Sequence, residues 1–99
     1  MKIATVILPT GQTREVQPAN GKKFTLDELQ GYVDGYIQIV KTKSPVRDMY
    51  INEEGKINNL PLNWKATALY QYGEHDPICG TVIVMAPRTS KRNDSEKAK

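Results

Sequence analysis

The chain has 99 residues, 38% of them hydrophobic and 25% charged, and a formal net charge of +3. That balance describes one modest soluble domain and excludes a second one. No apolar run approaches membrane-spanning length, and residues 1–8 are too short for a signal peptide, so the expected location is the cytoplasm.

A single cysteine, Cys79, cannot form an internal disulfide, which agrees with a reducing compartment. The charge is unevenly placed. Residues 88–99 carry five basic and two acidic side chains, whereas residues 1–87 carry nine of each. The expected organisation is a folded domain over residues 1–87 and a basic, disordered tail over 88–99. The body shows no basic patch, so specific nucleic-acid binding is not expected.

In chain order, residues 2–8 are rich in Ile, Val and Leu and read as a buried strand. Pro9-Thr10-Gly11-Gln12 is a turn, and residues 13–17 return as a second strand. Asn20-Gly21 marks a further turn before the first helix. Thr25 and Glu28 form a capping box there, and Phe24 with Leu29 a hydrophobic staple. Leu26, Leu29 and Val33 recur on one helical face, and Gly35 ends the helix. Residues 36–40 and 47–52 follow as strands. Glu53-Glu54-Gly55-Lys56 reads as a hairpin turn with Gly55 at positive φ, and Lys56-Ile57 as the start of a short return strand. Asn59 or Asn63 caps a second helix running to about Tyr72, which Gly73 terminates. Residues 78–85 form a last, strongly apolar strand. The order is ββαββ(β)αβ. The expected fold is α+β: a mostly antiparallel sheet of about five strands with two helices packed on it.

Motifs that carry chemistry are scarce. His75 is the only histidine, and a metal site needs convergent ligands, so no metal or other cofactor is expected. Cys79 lies in an apolar run without a neighbouring base and reads as a buried structural thiol. There is no phosphate-binding glycine loop and no Gly-x-Ser-x-Gly elbow. A catalytic role is therefore not expected.

Two features point to binding. In the second helix, Leu62, Ala66 and Leu69 form one apolar face, while Trp64, Ala68 and Tyr72 form another, nearly opposite. If uncovered, that second face marks a homo-oligomer or partner interface. Asn52, Asn58, Asn59 and Asn63 cluster around the junction before this helix. Each suits a turn or a cap, yet with Thr67 they also offer amide and hydroxyl groups for an uncharged ligand. Arg14 or Lys65 could then contact a phosphate.

The run Phe24-Thr25-Leu26-Asp27-Glu28-Leu29-Gln30-Gly31-Tyr32-Val33-Asp34-Gly35-Tyr36-Ile37 resembles the signature of a family of small domains of unknown function from phages, plasmids and Gram-positive bacteria. The resemblance continues through Asn52-Glu53-Glu54-Gly55-Lys56, Leu60-Pro61-Leu62-Asn63, Ala66-Thr67 and residues 76–82. It implies an accessory protein of a phage or mobile element, with no catalytic residues to carry over. Such proteins often counter host defence. The leading expectation is a non-catalytic protein that binds a small ligand or host factor, in its sharper form a sponge for a nucleotide immune signal. Asn52, Asn59, Asn63 and Thr67 would hydrogen-bond that ligand, and Trp64 or Tyr72 would stack on it. The alternative is an inhibitor or adaptor acting on a host protein.

Overall fold

The computed structural model describes residues 3–86; the basic tail expected over 88–99 lies outside them. Five strands form one antiparallel sheet: β1 (Ala4–Ile7), β2 (Thr13–Val16), β3 (Ile37–Lys41), β4 (Asp48–Asn52) and β5 (Val82–Met85). Their spatial order is β2-β1-β5-β4-β3. Helices α1 (Leu26–Val33) and α2 (Trp64–Leu69) complete the order ββαββαβ. The α+β expectation, with about five antiparallel strands and two helices, holds.

The pleat explains why β5 is apolar throughout. Alternate side chains of a central strand enter opposite cores. Ile83 joins Ala4, Val6, Phe24, Leu29 and Val33 beneath α1. Val82 and Val84 join Ile7, Val40, Met49, Ile51 and Ala66 beneath α2. The helices therefore cover opposite faces. The sheet's outer strand β2 is Thr-Arg-Glu-Val, polar and largely exposed, as an edge needs to be.

Helix α1 starts as read from sequence. The Thr25 side chain accepts from the Glu28 N–H at 3.2 Å, and Glu28 accepts from the Thr25 N–H at 2.9 Å. Glu28 also accepts from the Ala19 N–H at 2.9 Å, which ties the preceding loop to the helix. Phe24 and Leu29 meet in the α1 core, as a staple requires. Leu26, however, is exposed. The helix ends one residue early: Asp34, not Gly35, takes the left-handed C-cap at φ 62°.

Three other local readings change. Among the described residues there is no strand at Lys56-Ile57; residues 53–59 are successive turns. Gly55 is required for closeness, not for positive φ, because a Cβ there would lie 2.6 Å from the Cys79 carbonyl oxygen. Asn59 takes the left-handed conformation instead, at φ 56°. The last strand starts at Val82, since Gly80 at φ +95° turns the chain just before it. Helix α2 stops at Leu69 because Tyr70 becomes extended and bridges to Thr42 beside β3.

Glu28 gives this fold a pH signature. Hydrogen bonds from the Thr25 and then the Ala19 main-chain N–H hold its carboxyl below the usual carboxylate range. A depressed folded-state value contributes stability above the unfolded value, and that stability is lost as pH falls through the folded one. In urea titrations at descending acid pH, Glu28→Gln will lose stability less steeply than the wild type. Parallel acid limbs would contradict the assignment.

Candidate functional site

The asparagine-rich junction folds as an internal clasp. Asn63 is 0% exposed. Its Oδ1 accepts from the Ala66 N–H at 3.1 Å, capping α2. Its Nδ2 donates to the carbonyls of Ile7 at 2.9 Å and Gly80 at 2.8 Å. One side chain thus joins the end of β1, the turn before β5 and the start of α2. Thr67, one helical turn on, accepts from the Ile78 N–H at 2.9 Å. It fastens α2 to the same segment.

Asn52 does similar work on the other face of the sheet. It is 6% exposed. Its Nδ2 donates to the carbonyls of Val33 at 3.1 Å and Asp34 at 3.2 Å, at the C-terminus of α1. Its Oδ1 accepts from the Glu54 N–H at 2.8 Å. Orphan helix carbonyls and a turn donor are thereby satisfied together. Asn59 stands exposed in the turn. Asn52, Asn59, Asn63 and Thr67 do not converge on one open surface, and the Asn52 and Asn63 side chains spend their donors on main-chain carbonyls.

The outer face of α2 is open. Trp64 is 72% and Tyr72 58% exposed, and Ala68 is exposed between them. Tyr72 lies beyond the helix end and packs edge-on against the half-buried Tyr70, with ring centroids 5.8 Å apart. The position of Trp64 follows from the clasp. Asn63 and Ala66 point inward at the helix N-terminus, which turns the intervening residues toward solvent.

A pocket of about 210 Å³ lies where the sheet extends past α2, lined among others by Gln38, Ile51, Asn52, Ile57, Asp76 and Cys79. An ion pair between Lys56 and Asp76 spans its two loops. The Cys79 thiol is free and partly exposed rather than buried within β5. Of the asparagines among the described residues, only Asn52 lines this pocket. Nothing local in the sequence marks Gln38, Asp76 and Cys79 as pocket residues, because three separated segments meet there. The close approach that Gly55 allows between the 52–57 turn and Cys79 is the nearest thing to a sequence signal. Among the described residues, no three His, Cys, Asp or Glu side chains converge to hold a metal ion.

A family model described as a domain of unknown function, DUF3846, matches residues 1–97. The chain belongs to that family. No curated protein and no solved structure matches this DUF3846 domain.

The clasp is directly testable. Asn63→Ala removes the α2 cap and strands two buried carbonyls, so it should cost about 3 kcal/mol in urea unfolding. Asn63→Asp keeps the cap acceptor but faces oxygen toward two carbonyls, and should cost at least as much. A loss under about 1 kcal/mol for both would show that the clasp is dispensable.

Proposed function

We propose that this DUF3846 domain is a non-catalytic accessory protein of a phage or other mobile element, and that it acts by binding a host protein. The observation that carries the reading is the exposed Trp64 on α2, with Ala68 exposed on the same helix and Tyr72 exposed just beyond its end. Tryptophan and tyrosine dominate binding hot spots because they bury much area at little entropic cost. A six-residue helix is only about 9 Å long. It suits insertion of one or two anchors into a partner's pocket better than broad helix packing.

The pocket favours a second reading, a small ligand, with the nucleotide sponge as its sharp form. Two observations place it second. Its volume of about 210 Å³ falls below the roughly 300–1,000 Å³ of ordinary ligand sites. The Asn52 and Asn63 amides meant to read such a ligand are bonded inside the protein.

Affinity capture from host lysate, with quantified retention, separates the readings. The wild type should retain one host protein in stoichiometric amount. Trp64→Ala should weaken that capture at least about 30-fold, the scale of a hot-spot truncation. Its melting temperature should not change, since the side chain is exposed. Equal capture by both proteins would sink the Trp64 assignment. Calorimetric binding of a nucleotide at micromolar or better affinity would instead favour the sponge.

A further inference from the structure

The two edges of the sheet are built differently. Strand β2 exposes Arg14 and Glu15, charges of the kind that discourage edge pairing. Strand β3 reads Ile-Gln-Ile-Val-Lys, and its one charge, Lys41, is engaged by Asp48 across the β3–β4 pair. Ile39 is 54% exposed and the preceding Tyr36 67%. The Ile37–Ile39 stretch carries no charge, and an edge stretch with exposed isoleucine and no charge is what a protein avoids unless something covers it.

The hydrogen bonds show which main-chain groups of this edge are open. The Glu53 N–H donates to the Tyr36 carbonyl and the Thr42 N–H to that of Arg47, so even-numbered residues face β4. The Gln71 N–H donates to the Lys41 carbonyl and the Lys43 N–H to that of Leu69, so odd-numbered residues face away. Ile37 and Ile39 therefore present their N–H and C=O groups outward. Among the described residues no strand lies beside them. Residues 69–71 occupy the same edge at Lys41 and limit the open stretch to Ile37–Ile39.

We propose that the occupant of this edge is a second copy of the chain, paired β3 to β3 in antiparallel fashion about a two-fold axis at Gln38. In that register Ile37 of each copy pairs with Ile39 of the other. Each such pair exchanges two main-chain hydrogen bonds, giving four, and Ile37 covers the exposed Ile39 across the axis. A register centred on Ile39 is blocked, because Ile37 would have to pair with Lys41, whose carbonyl already accepts from Gln71. The segment 69–71 thus selects the register. The two five-stranded sheets become one of ten strands. Gln38 lines the pocket in each copy, so the axis also brings the two pockets side by side. Trp64 itself is not among the residues of this edge.

Light scattering behind size exclusion, from about 1 µM to about 1 mM, tests the pairing. The wild type should rise from one to two chain masses. Ile39→Pro removes an outward N–H without touching the β4 ladder, so it should remain single with an unchanged circular dichroism spectrum. Ile39→Lys, at an exposed position, should weaken the dimer at least about tenfold and serves if the proline variant does not fold. Trp64→Ala should dimerise as the wild type does. A wild type that stays single throughout would overturn the proposal, as would a dimer unaffected by Ile39→Lys.

Discussion

The fold depends on one buried amide. Without Asn63, the carbonyls of Ile7 and Gly80 would face each other across a junction with no donor between them. A buried polar group left unpaired costs about 1–3 kcal/mol, a large share of a small domain's stability. With it, three segments far apart in sequence are fixed at one point. The alternating apolar pattern and the main-chain ladder set the β1–β5 register. The amide ties the start of α2 to that pair, because its two donors and one acceptor are satisfied in a single arrangement. Trp64 faces outward as a consequence, since its neighbours Asn63 and Ala66 are committed inward.

Asn52 repeats the device at the C-terminal end of β4, on the other face of the sheet. There the amide closes the C-terminus of α1, whose final carbonyls no longer have helical partners. Two asparagines thus hold two helices to opposite faces of one sheet. Much of the polar capacity near residues 49–67 is spent on architecture. Exposed apolar and aromatic side chains remain on the outer face of α2 and at the edge of β3. The pocket beside Gln38 lies near the second.

Much of this was legible in the sequence, and the division follows the range of the interactions. The capping box of Thr25 and Glu28 is local, so spacing alone revealed it. The exposed positions of Trp64 and Ala68 on α2 followed helical period, although Tyr72 falls beyond the helix, and Asn63 was legible as one of two candidate caps. What Asn63 bonds besides the helix was not, because Ile7 lies 56 residues away. The pocket was hidden for the same reason: it is assembled from residues near 38, 51–57 and 76–79. Gly55 misled because glycine in a turn usually signals positive φ, whereas here it makes room for a carbonyl. The early end of α2 was illegible because a long-range bridge between Tyr70 and Thr42 competes with continued helix. The edge character of β3 required the strand order, which composition does not contain.

The claim on which the rest stands is that the Asn63 amide is an internal clasp and not a ligand contact. Proton exchange of the Asn63 side-chain NH₂, followed by nuclear magnetic resonance, tests it most directly. The account predicts exchange as slow as the slowest core amides, governed by global unfolding, and resonances unmoved when a captured partner or ligand is added. Exchange at the rate of a solvated amide, or a large shift on binding, would contradict it.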